Sequence, residues 1–177
     1  AGYESSVEQI VDLCFPMHPL TTLTLMKLSE QAAQNERTLF TFLSEEDSPF
    51  AAFIRANHGE YALASASMVY DYFHVSIREN SYDKGLRDII VHVDSLIPTL
   101  SIDEGKLVKV IVLFSMIADS SLLATKAMLM AALQWDGERL EQSVSKLEQK
   151  HHIYVRRSDG VICMMRNAAE TVRQDIE

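Results

Sequence analysis

Two segments in the middle of the chain space their apolar residues by three and four. Leu86, Ile89, Ile90, Val93, Leu96 and Ile97 form one set, stopped by Pro98, and Leu107, Val110, Ile111, Phe114 and Ile117 form the next, after Asp103. That spacing gathers the apolar side chains on one face of an α-helix, whereas a strand needs a period of two. The second segment contains LVKVIVLF, β-branched enough to suit a strand. Its spacing and its length decide for a helix. Two stripes of this kind must be covered by other helices, so a mainly α fold built on a helical bundle is expected.

The N-terminal half supplies the partners. A first helix is expected from about Ser6 to Leu13, opened by the capping-box spacing of Ser5-Ser6-Val7-Glu8. The prolines of CFPMHP stop it, and Pro19 suits the first position of a second helix reaching about Ala33. Asn35 is a good N-cap for a short helix through Leu43, Ser48 and Pro49 open the next, and Gly59 is a plausible stop. Residues 65–78 read as another amphipathic helix through Val69, Tyr72, Phe73 and Ile77.

The tail differs. A helix near 122–133 is followed by one that Asp136 caps, with Leu140, Val144 and Leu147 as its inner stripe. Two β-prone runs, Ile153–Arg157 and Val161–Met165, then flank Ser158-Asp159-Gly160, a hairpin signal. Helix, helix and two-stranded ribbon is the pattern of a C-terminal winged helix with a small β-hairpin.

Charge supports a division. Of 177 residues with a net charge of −9, residues 1–119 hold 8 Lys/Arg against 17 Asp/Glu, and residues 120–177 hold 8 against 8. The acidic part should repel nucleic acid, and the neutral part permits contact without demanding it. A helical bundle over 1–119 and a winged-helix domain over 120–177 are therefore expected, melting separately. No apolar run approaches the roughly 18 residues of a membrane span, and the N-terminus lacks the regions of a signal peptide. Cys14 and Cys163 stand far apart and read as two free thiols of a cytoplasmic protein with no membrane partner.

Catalytic motifs are missing from the sequence. It has no G-x-x-x-x-G-K-[ST] phosphate loop, no G-x-S-x-G and no H-E-x-x-H. None of the six histidines forms an i, i+4 metal pair; His151-His152 read as caps at a helix C-terminus, and no metal site is expected. The eight methionines read as core filling, and SEEDS as a solvated acidic loop. The presumed recognition helix exposes Glu138, Arg139, Glu141, Gln142, Ser145, Lys146, Glu148 and Gln149, a mixed face better suited to protein than to DNA. Strand alternation would send Arg156 and Arg157 to opposite faces of the wing. Arg139, Lys146, Arg156 and Arg157 are the candidate contacts to nucleic acid or to a protein partner.

FPMHPLTTLTL followed by AQNERTLFTFLSEEDSPFAAF resembles the region after the nucleotide-binding core of large prokaryotic P-loop ATPases of the AAA+/STAND group, relatives of origin-recognition-type ATPases. MVYDYF, LVKVIVLFSMIA and LEQSVSKLEQKHHIYVRRSDG continue the resemblance over most of the chain. Its most specific parts are His18-Pro19-Leu20, the lid motif, and Asn35-Glu36-Arg37-Thr38-Leu39-Phe40. The resemblance implies a piece of a longer protein, a helical lid and a winged helix without their motor. ATP and Mg then belong to the parent protein, with no cofactor in this part, and the parent's ATPase core is a partner. It also implies that Arg37, placed by Asn35 near a helix start, senses nucleotide phosphate. Gln34 stands where the family usually has Gly. Read from the residues alone, Arg37 is equally well an ordinary ion-pair residue. Two further readings compete: a stand-alone winged-helix DNA-binding regulator with a helical sensor or dimerisation domain, and a plain helical scaffold.

Overall fold

Helix starts follow local chemistry along the computed structural model, which describes residues 9–31, 39–80 and 83–165. Residues 9–14 are helical and are labelled α1. Pro19 opens α2 (Pro19–Gln31), and α3 follows at Leu39–Ser44. Ser48 accepts the Ala51 N–H at 3.0 Å to cap α4 (Pro49–Ala56), with Pro49 at its first turn. α5 spans Ser67–Asn80, and Asp83 caps α6 (Lys84–Leu96) through the Leu86 N–H at 3.1 Å. A 3-10 turn, Ile97–Thr99, leads to α7 (Ile102–Ile117). Thr125 caps α8 (Lys126–Leu133), and Asp136 caps α9 (Gly137–Gln149) through the Arg139 N–H at 2.8 Å.

Helix stops were harder to foresee. Ala118, Gln134 and His151 adopt left-handed backbone at φ 52°, 58° and 55°. After α9 the His152 N–H reaches the Leu147 carbonyl and the His151 N–H that of Glu148, both at 2.9 Å. The end of α8 repeats this with Trp135 to Met130 at 3.0 Å and Gln134 to Ala131 at 3.2 Å. These bonds satisfy carbonyls that a helix end leaves free, and glycine usually supplies the left-handed residue. Here alanine, glutamine and histidine do. Ala118→Gly is therefore expected to stabilise the fold by up to about 1 kcal/mol, since the left-handed strain on alanine outweighs the extra chain entropy of glycine. A urea titration showing a lower midpoint would count against it. Gly59 (φ 87°) does not stop α4, whose last turn is closed earlier by the Asn57 backbone and side chain on the Phe53 carbonyl.

The sheet is one antiparallel pair, β1 (Ile153–Val155) and β2 (Ile162–Met164), with Ile153 opposite Met164 and Val155 opposite Ile162. Both strands are shorter than the sequence suggests. Arg156 and Arg157 lie beyond β1, so strand alternation does not orient them. Arg156 instead closes the turn, its N–H on the Val161 carbonyl at 2.8 Å and its carbonyl taking the Gly160 N–H at 2.9 Å. Gly160 supplies the positive φ of 70° that the turn requires. The Ile162 N–H reaches the Ala124 carbonyl at 2.9 Å and ties the hairpin to the start of α8.

α7 decides the packing. From Leu107 to Ile117 only Lys109 and Ser115 escape full burial. A helix apolar on all sides needs neighbours on all sides. α2, α5 and α6 cover it from the bundle; α8, α9 and β2 cover it from the tail. Core residues from Leu25 to Met164 accordingly belong to one cluster. The 119/120 boundary falls in the turn between α7 and α8, where Asp119 pairs with Lys27 of α2. Cys14 and Cys163 are free and half-buried. Among the described residues no helix is long and apolar enough to cross a membrane.

Candidate interaction site

The start of α7 is held by a reciprocal capping box. Ser101 Oγ accepts the Glu104 N–H at 3.3 Å, and Glu104 Oε2 accepts the Ser101 N–H at 2.8 Å. Glu104 also takes a bond from Lys150 Nζ at the end of α9, at 2.8 Å. Burial alone would raise the Glu104 carboxyl; the Lys150 ammonium and the Ser101 donors override it and bring it down to about 2. One residue earlier, Asp103 receives a forked pair from Arg139, Nε at 2.9 Å and Nη2 at 2.7 Å. The Arg139 guanidinium lies 4.6 Å above the Trp135 ring. The forked bond lowers the Asp103 carboxyl and raises the Arg139 guanidinium. α9 is thus clamped to the first turn of α7 at both of its ends.

Between these helices runs an open groove of about 650 Å³, lined by Ser101, Ile102, Asp103, Arg139, Gln142 and Lys146, among others. Ile102 stands in it 79% exposed. The groove brings together Arg139 and Lys146 of the four basic residues singled out in the sequence. The other two sit on the hairpin turn, where Arg156 is forked onto Asp159 with its shortest contact at 2.6 Å. That pairing raises Arg156 and lowers Asp159. Among the described residues Lys146 and Arg157 have no ion pair. Sequence reasoning missed Glu104, Trp135 and the pairing of Asp103 with Arg139; Ser101-x-x-Glu104 is a capping-box signal that could have revealed the first.

The lid-motif residues serve a different place. His18 N-caps α2, its Nδ1 accepting the Leu20 N–H at 3.2 Å, with Pro19 as the first helical residue. The His18 N–H meets the Ala64 carbonyl at 3.2 Å, and Thr21 Oγ1 reaches the same oxygen at 2.8 Å. Burial lowers the His18 pKa. Protonation of Nδ1 would remove the capping acceptor. A histidine whose folded pKa lies below its unfolded 6.5 contributes stability above that value and loses it as pH falls below. Burial, then the neighbouring Lys150, lowers His152 in the same sense. Unfolding midpoints should therefore begin to drop below about pH 6.5, and His18→Asn, which keeps a capping acceptor, should shrink that step. A step of unchanged size in the variant would remove His18 as its source. Asn35 and Arg37 lie outside the described residues.

No protein family matches this chain, and no curated protein or solved structure matches it.

Proposed function

We propose that this chain is a non-catalytic regulatory and interaction module of a larger ATP-binding protein. In this reading the helical bundle couples the parent's nucleotide state to a partner held by α8, α9 and the hairpin, which act as a winged helix. The sequence resemblance to AAA+/STAND ATPases supports the connection to ATP and Mg, and it carries the phosphate-sensing role of Arg37 and Asn35. The observation that favours a protein partner is the pairing of Arg139 with Asp103 and of Arg156 with Asp159. A phosphate would have to displace a forked carboxylate from each arginine, and the groove that remains is as apolar as it is polar and carries an exposed isoleucine.

DNA titration at several salt concentrations tests this choice. The two cations without an ion pair among the described residues, Lys146 and Arg157, give a slope of log K against log salt of about −0.9 per contact, so no steeper than about −2, with weak binding. Tight binding at physiological salt with a steep slope would favour the stand-alone DNA-binding regulator instead. A phosphate-loop motif upstream in the same reading frame is the expected finding for the parent, and an intact frame without one would remove the ATPase connection.

A further inference from the structure

Around α1 and the end of α4, away from that groove in sequence, lies an apolar surface that the proposed function does not use. Leu13 is 86% exposed and Ile10 52%, both on α1, three residues apart and so on one helical face. Phe15 follows at once and stacks on Tyr61, which is 72% exposed, with ring centroids 5.2 Å apart and planes 15° from parallel. Next to this pair the end of α4 opens a cleft of about 180 Å³, lined by Phe15, Pro16, Phe53, Ile54, Glu60 and Ala62, among others. Such a cleft is of the size that takes an anchoring side chain of a partner, beside a wider apolar patch.

The segments that form it, residues 10–16 and 53–62, carry two carboxylates, Asp12 and the cleft-lining Glu60, against a single strong base, Arg55. Arg55 is already committed, its guanidinium bonded to the Glu46 carbonyl at 2.8 Å, before the start of α4. The backbone here offers little to an added strand. The Ala64 N–H is held by the Pro16 carbonyl at 2.8 Å, the Ala62 N–H by that of Glu60 at 3.1 Å, and the Leu63 carbonyl by Gln134 Nε2 at 3.0 Å. Recognition must then come from side chains, which is how a helix is held in a groove. The carboxylates also oppose an anionic membrane surface.

We propose that this face docks an amphipathic, basic helix of a protein partner. Its apolar stripe lies on Leu13, Phe15, Tyr61 and Ile54, with one side chain in the cleft, and its Lys and Arg residues face Asp12 and Glu60. This surface is independent of the groove between α7 and α9, so either can fail without the other.

The test uses the full chain and a fluorescein-labelled helical peptide with a leucine stripe flanked by lysines, compared with the same peptide carrying glutamates in place of the lysines. The lysine peptide is expected to bind at least about 10-fold more tightly, and Leu13→Ser and Tyr61→Ser each to weaken it about 10-fold, the loss typical of an anchor residue. Both residues are exposed, so the melting temperature should not move, and that measurement separates lost docking from lost folding. Equal affinity for the two peptides, or binding unchanged in both variants, would overturn the proposal. So would self-association of the chain, or co-sedimentation with phosphatidylserine vesicles, that the same variants abolish.

Discussion

Val144→Asp is expected to unfold the whole chain in one transition, not the C-terminal part alone. Val144 is fully buried on the inner stripe of α9 with Leu140 and Leu147. A carboxylate there has no partner and must be buried charged, take up a proton or force the helix away, at a cost of about 4 kcal/mol or more. That is a large fraction of the roughly 5–15 kcal/mol that holds a domain together. The change in charge near residue 120 suggests two units that melt apart. The continuous core argues for one, because α8, α9 and β2 are one wall of α7 and the bundle helices are the other. Removing either wall exposes the same buried helix. Two probes can separate the outcomes. Trp135 is the single tryptophan and reports on the tail, whereas far-ultraviolet circular dichroism reports mostly on the bundle helices. Coincident urea curves, shifted together by the mutation, are expected. A tryptophan transition that precedes the loss of helix would restore the boundary near 120 as a division between independent domains.

The second large effect is at Glu104. Its side chain, almost fully buried, accepts from the Ser101 N–H and from Lys150 at the far end of α9, while its backbone N–H donates to the Ser101 hydroxyl. Burial opposes the charge, yet the bonds to the carboxylate bring its pKa from 4.5 to about 2. A carboxyl lowered on folding contributes stability that is complete above its unfolded pKa and is lost as pH falls towards its folded one. Here the window runs from about 4.5 down to about 2. Lys150 is 45% exposed, so solvent screens part of the pairing, and the contribution is on the order of 2 kcal/mol. Glu104→Ala should cost about that much at neutral pH, and it frees the end of α9 as well as the start of α7. Glu104→Gln retains an acceptor and should flatten the acid limb between those values. An acid limb of unchanged depth in the glutamine variant would show that other carboxylates carry it. This step lies below the one expected from His18, so the two can be read from a single pH series.

Helix positions were legible where chemistry is local. Pro19, Ser48-Pro49 and Asp136 mark starts by residue type, and the three-and-four spacing of 86–97 and 107–117 fixes helix over strand despite the β-branched LVKVIVLF. The hairpin was visible in Ser158-Asp159-Gly160 because Gly160 is needed for a positive φ. Helix ends were less legible, since Ala118, Gln134 and His151 carry no compositional mark of a left-handed residue. The bonds that close these ends run from backbone to backbone of the preceding turn, which any residue type can supply. The basic candidates show the same divide. Arg139 on an exposed helical face reads as a free cation, but its partner Asp103 lies 36 residues earlier and its aromatic floor is Trp135.

By itself the sequence determined a mainly helical chain, the approximate place of the helices and strands that the described residues contain, and the absence of a phosphate loop. These depend on side-chain period, on capping and turn chemistry, and on motif spacing, all properties of nearby residues. Only the tertiary structure decided that α7 is covered from both sides. Val108, Val112, Leu113 and Met116 lie off the expected stripe and are buried all the same. One stripe of a helix tells which side must be covered; whether the other side is covered too depends on what the rest of the chain brings to it. The same physics settled which charges remain available, because a salt bridge between α7 and α9 exists only once both helices are packed.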